Sequence, residues 1–363
     1  LRRAELGGRR DPAGRRRCAE LERLIRAHGW QTGCDGGDRA IAALGDVRAE
    51  LASAGAALVS FAVHRRTLLA LVVTERRVRV VPLEHWDEVT EAVTRLHRDL
   101  DALCDRVLPE ALDEVVRASA RRQATGLADR LMAPLGHLLG DRDLVLVPTK
   151  SLSAVPWSVL PQLRGRPVTV APSASAWLDA RRTPVLASGL PVLVAGPYLT
   201  HAREEVRAVS AVHPASVVLD GAGATVAEVL RHLDGGALVH IAAHGHHEQD
   251  NVLFSRLDLA DGPLMAYDVQ RLRTAPAHVV LPACDIGRTV VRRGDELLGF
   301  TAALLYGGTR TVVSCVNRVL DERAVHTMAA YHRALLAGHH PARALAEATA
   351  PDPLSPFVCF GAG

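Results

Sequence analysis

A chain of 363 residues, 48% hydrophobic and 23% charged, has the make-up of a folded globular protein of two domains, or of one large domain with an appendage. A net charge of +3 and 4% aromatic residues offer nucleic acid neither a strong field nor many rings to stack on, so a nucleic-acid partner is not expected. The apolar runs stop at a charge or a proline well short of bilayer thickness, so no membrane span is expected either.

The chain begins Leu1-Arg2-Arg3 without a secretory signal. Residues 1–40 read as a helical and linker remnant of an upstream region, with an amphipathic helix from Cys18 to His28 and a glycine-rich loop at 33–38. Residues 56–81 read as a hairpin turning at His64-Arg65-Arg66. From Trp86 to about Leu139 the spacing turns helical, with Val89, Val93, Leu96, Leu100 and Leu103 on one stripe. Leu144-Val145-Leu146-Val147 is a buried strand. Proline-rich segments at 161–172 and 184–191 divide an N-terminal half, 41–175, from a second half, 176–363.

The second half alternates strand and helix. Strand 192–195, helix 202–212, strand 217–219, helix 225–233 and strand 237–243 come first. A hairpin at 252–265, helix 266–272 and a strand from 277 into Cys284 follow. Helix 295–306, strand 310–316, helices 321–337 and 341–348 and strand 357–360 complete the chain. Such alternation predicts an α/β fold, with a mostly parallel sheet flanked by helices.

Two of these strands end on chemistry. Leu238-Val239-His240-Ile241-Ala242-Ala243 runs into His244-Gly245, and Val279-Val280-Leu281-Pro282-Ala283 runs into Cys284. Parallel strands are buried and open at their carboxyl ends, where ligands bind. A free thiol has a pKa of about 8.5 and needs an imidazole or a helix N-terminus to act near neutrality. A lone buried cysteine or a strand-end histidine is common, but the pair at neighbouring strand ends makes a nucleophile with its base. The amides of Gly245 and Cys284 are candidate oxyanion donors. Cys18, Cys34, Cys104, Cys284, Cys315 and Cys359 keep no pairing rhythm, which points to reduced thiols and a cytoplasmic location. The histidines around 240–247 lack the spacing of a zinc motif, and Gly221-Ala222-Gly223 lacks the lysine of a phosphate loop, so no metal and no cofactor are expected.

From about residue 57 onward the chain resembles the CHAT domain, a bacterial caspase-like peptidase family of the caspase, separase and metacaspase clan. The resemblance lies in Val145-Leu146-Val147-Pro148, Val155-Pro156-Trp157-Ser158, His240 to Gly245, Leu281 to Asp285, Gly294-Asp295-Glu296-Leu297-Leu298-Gly299 and Gly307 to Val313. It implies a caspase-hemoglobinase-like fold with a catalytic half at 176–363 and a pseudo-protease-like half at 41–175. It implies that His244 is the general base, that Cys284 is the nucleophile, and that the amides of Gly245 and Cys284 hold the oxyanion. Cys315, Val316 and Asn317 are expected along the substrate groove, with the substrate added beside that strand.

The chain departs from the pattern in two places. Pro282 replaces the glutamine that helps caspases select aspartate, and Asn317 replaces a frequent tryptophan. Among nearby acids, Asp285 first, then Glu248, Asp250 and Asp321, an acidic pocket would favour cuts after Arg or Lys. The resemblance further implies a protein or peptide substrate, and a regulatory protein or upstream repeat domain as partner. It places the activity in bacterial signalling or defence. The alternative is a catalytically silent caspase-like scaffold or binding module.

Overall fold

The computed structural model describes residues 41–104, 109–184, 187–246, 254–282 and 299–363. The helix expected at 18–28 and the loop at 33–38 lie outside them. Helix α1 (Leu44–Ala54) ends on Gly55, whose φ of 61° turns the chain straight into strand β1 (Ala56–His64). A tight turn joins β1 to β2 (Thr67–Val73), and β3 (Val78–His85) completes an antiparallel meander. Arg65 and Arg66 both take positive φ there, 47° and 68°, the turn geometry that suits strand twist.

Helix α2 (Trp86–Ala102) buries Val89, Val93, Leu96 and Leu100 as a single stripe. The long helical stretch expected to about 139 is divided. Pro109, which cannot continue a helix, caps α3 (Glu110–Leu131), and a short turn, α4 (Gly136–Leu139), comes before β4 (Asp143–Val147). Strand β5 (Val168–Val170) lies inside the proline-rich segment, and α5 (Ala174–Arg182) follows it.

The second half follows the expected alternation closely. It runs β6 (Val192–Ala195), α6 (Ala202–Val212), β7 (Val217–Leu219), α7 (Val226–Leu233) and β8 (Leu238–Ala242). The Thr225 hydroxyl caps α7 by accepting from the Glu228 amide at 3.3 Å. Strands β9 (Gly245–His246), β10 (Arg256–Leu259) and β11 (Gly262–Met265) form a separate small antiparallel sheet. Then come α8 (Ala266–Val269), β12 (His278–Leu281) and α9 (Gly299–Tyr306). The chain finishes with β13 (Thr311–Cys315), α10 (Asp321–Leu336), α11 (Pro341–Thr349) and β14 (Phe357–Gly361).

One large sheet carries both halves, in the order β3-β2-β1-β4-β5-β14-β13-β12-β8-β6-β7. It is mostly parallel; the antiparallel pairs are β1–β2, β2–β3 and β13–β14. The halves meet where β5 pairs with β14, Thr169 opposite Cys359. Because β14 opposes β13, the parallel strands of the first half run against those of the second. Ser158 reinforces the junction, its hydroxyl lying 2.7 Å from the Ser355 carbonyl and 3.0 Å from that of Phe357. Its neighbour Trp157 is buried and stacks on Phe61, ring centroids 5.7 Å apart. Strand side chains alternate between two apolar layers: Val239, Ile241 and Ala243 face one, and Ala242 faces the other, beneath α6 and α10. Among the described residues no helix is long and apolar enough to cross a membrane.

Candidate active site

The strand order β7-β6-β8-β12-β13 reverses between β6 and β8, and in such sheets the crevice at the carboxyl ends of that pair receives ligands. His244 stands there, two residues beyond the end of β8. Its Nε2 lies 3.0 Å from the main-chain carbonyl of Tyr198, in the loop that leaves β6. A carbonyl only accepts, so Nε2 carries the proton and Nδ1 keeps the basic lone pair. Tyr198 holds φ at 66°, a left-handed value costly for a side chain of that size, and its ring is 90% exposed.

The backbone of His244 is pinned on its other side. The Asp258 amide donates to the His244 carbonyl at 2.9 Å, which makes those two residues a hydrogen-bonded pair of the β9–β10 ladder. Pairs alternate along an antiparallel ladder, so Gly245, opposite Leu257, is not hydrogen-bonded to β10. Its N–H therefore points to the outer edge of β9, where no strand pairs among the described residues. That is the donor an oxyanion needs.

Gly196, directly after β6, lets this loop approach. A β-carbon at that position would stand 2.6 Å from the Ala243 Cβ and 3.0 Å from the Asp258 carbonyl oxygen. Gly196→Ala is expected to cost about 1–3 kcal/mol in a urea unfolding measurement, because backbone on both sides cannot yield. The same variant should displace the Tyr198 carbonyl and slow any reaction that uses His244.

Beside His244, His246 Nε2 lies 2.9 Å from Asp258 Oδ2. Burial pushes the Asp258 carboxyl up, but the His246 hydrogen bond and the charges of His246, Arg256 and His244 together hold it below the usual range. Sequence reasoning named neither Tyr198 nor Asp258. Tyr198 contributes a main-chain atom that no residue type announces, and Asp258 is brought in by the hairpin.

Of the residues expected to line the site, Cys284 and Asp285 lie outside the described residues, as do Glu248 and Asp250. The strand that leads to Cys284 is described as far as Pro282. Cys315, Val316 and Asn317 are enclosed, at 0%, 4% and 2% exposure, so none presents its side chain to an open groove. They were expected to flank a free edge, whereas β13 is paired on both sides, by β12 and β14. Cys315 instead donates its S–H to the Pro282 carbonyl at 2.9 Å, tying the ends of β13 and β12 together. Asp321 opens α10. Burial pushes the Cys104 thiol up to about 11 and that of Cys359 up to about 12, so neither supplies a thiolate near neutrality.

Behind the site, on the face covered by α6 and α10, runs a line of imidazoles. His240 Nε2 lies 2.9 Å from Glu205 Oε1, His240 Nδ1 lies 3.1 Å from His332 Nε2, and His332 Nδ1 lies 3.1 Å from His213 Nε2. Each ring-to-ring contact needs only one proton, so every ring can stay neutral. His278 joins the same layer through the Tyr331 hydroxyl, 2.9 Å from its Nε2.

The family model described as the CHAT domain matches residues 121–350. No curated protein matches the sequence. Two crystal structures of the Saccharomyces cerevisiae separase–securin complex are similar in fold, with TM-scores of 0.62 and 0.56, each at 10% identity and covering 87% of this chain. The chain spans 30% and 31% of the separase chains it matches. The Arg-specific cysteine proteinase gingipain R aligns at a TM-score of 0.41 and 13% identity, over 73% of each chain.

Proposed function

This chain belongs to the CHAT domain family, and from that membership we propose that it is a cysteine endopeptidase acting on a protein substrate through a His244/Cys284 dyad. The observation that carries the reading is the polarised imidazole: the Tyr198 carbonyl accepts a hydrogen bond from His244 Nε2–H, which leaves Nδ1 as a base at the carboxyl rim of the sheet. Strand register supports the pairing. His240 lies opposite Val280, and His244 and Cys284 each follow four residues later in the sequence.

In the proposed reaction His244 Nδ1 takes the Cys284 thiol proton, and the thiolate adds to the substrate carbonyl carbon. The amides of Gly245 and Cys284 stabilise the oxyanion. Collapse breaks the C–N bond as the imidazolium returns its proton to the leaving amine, giving a thioester. His244 then deprotonates a water, which attacks the thioester, and the thiol leaves with that proton as the acid is released. Residues 176–363 form the catalytic half and 41–175 its pseudo-protease-like companion. Asp285 as first choice, and Asp321 as another, is proposed to favour Arg or Lys before the cut. A regulatory protein or upstream repeat domain is proposed to gate the activity in bacterial signalling or defence.

A thiol-directed electrophile tests the dyad directly. Cys284 should be labelled well ahead of Cys104, Cys315 and Cys359, and the preference should vanish in His244→Ala. Labelling that ignores position and is indifferent to His244 would leave a silent scaffold. Mass-spectrometric mapping of cuts in a denatured proteome then reads the pocket: cuts after Arg or Lys support the acidic assignment, and cuts after small apolar residues reject it.

A further inference from the structure

Counted along the sequence from paired strand residues, Asn317 and His244 fall at equivalent positions, each two residues beyond its strand. Val280 pairs with His240 on one side and Val313 on the other, and His244 and Asn317 each lie four residues beyond those partners. The Asn317 side chain does not face solvent; it is enclosed against α2 of the other half. Its Nδ2 donates to Asp101 Oδ1 at 3.0 Å. His97, one helical turn earlier, shares the cluster: burial lowers its proton affinity, while Asp101 and Asn317 act in the opposite direction.

Residues four apart on a helix share a face, so α2 presents a carboxylate and an imidazole side by side to one amide. Asn317 Oδ1 and His97 Nε2 are both buried, neither meets ordinary hydrogen-bond geometry with a described group, and they are complementary, an acceptor and a possible donor. A second bond from the same helix end fixes the next residue: Cys104 Sγ donates to the Arg318 carbonyl at 3.1 Å. We propose that α2 reads the Asn317 amide and clamps the chain leaving β13, so that Asn317 is a positioning residue through which the N-terminal half sets the geometry of the catalytic rim. The proposal rests on the His244/Cys284 reading. An aspartate at 317 would face Asp101 with like charge, and a plain apolar residue would leave the half-buried Asp101 carboxylate without its donor.

A charge exchange tests it, with three readings on each variant: alkylation of Cys284 by iodoacetamide, cleavage of a peptide library, and thermal melting. Asn317→Asp is expected to slow alkylation and lower kcat by roughly tenfold to a hundredfold with KM little changed. Adding Asp101→Asn reverses donor and acceptor and should restore both rates to within about twofold. If the single variant does not fold, the double variant decides alone. A folded Asn317→Asp protein with wild-type rates overturns the proposal. So does a double variant that regains its melting temperature but not its rates. Wild-type protein whose Cys284 alkylates no faster than Cys104, with or without His244, overturns the dyad and the clamp together; failure of the exchange with the dyad intact overturns the clamp only.

Discussion

Cys284→Ala and His244→Ala are each expected to remove most peptide cleavage, and the double variant should be no worse than the poorer single one. Losing the general base alone should lower kcat/KM by roughly a hundredfold to ten-thousandfold. The effects should not add, because each residue is useless to this reaction without the other. His244 is held from two directions, by the Tyr198 carbonyl on its ring and by the Asp258 amide on its backbone, so its replacement leaves the surrounding strands in place. Both single variants should therefore melt close to the wild type while losing rate. Initial rates on a peptide library, beside melting curves, separate the outcomes; cleavage that persists in Cys284→Ala removes the peptidase assignment.

Acid should begin to destabilise this protein before most of its carboxylates protonate. His278 is partly buried beneath α10, and desolvation first, then the charge of His240, pushes its pKa down to about 4. In an unfolded chain the same group titrates near about 6.5. Between those values the unfolded state binds more protons, so stability falls as pH falls. The His278 contribution is fully present above about pH 6.5 and lost toward pH 4; from pH 7.5 to 5 it amounts to about 2 kcal/mol. His332 is driven down in the same way by burial and by His240, His213 and His278, and half-buried His213 shifts in the same direction. Glu205 from α6, Tyr331 from α10 and Cys359 from β14 are the other ionisable groups named in this layer. Urea midpoints measured across that range should fall steeply for the wild type. They should flatten in His278→Phe, and an unchanged slope in that variant would reject the buried neutral imidazole as the cause.

Much of the fold is legible in local pattern. The boundaries of β6, α6, β7, α7 and β8 follow from short apolar runs, a helical period and, for α7, a threonine cap, each of which acts within a few residues. The rim position of His244 is legible for the same reason, since a buried parallel strand is a continuous apolar run and stops where the chain meets solvent. Other elements leave little trace. Helix α1 buries only Val47 and Leu51, too few for a visible stripe, and β5 has three residues in a proline-rich stretch. The motif Val155-Pro156-Trp157-Ser158 is plain in the sequence, yet its work is to fill the first half's core and tether β14.

The kinds of elements and the alternating second half were settled by residue order, because helix period, strand period and capping are short-range. Which strands pair was not. The joining of β5 to β14, the enclosure of Cys315, Val316 and Asn317, and the meeting of Asn317 with Asp101 depend on residues far apart in the chain. Such contacts are chosen by register across the whole sheet, and a slip of one residue would turn every side chain to the opposite face.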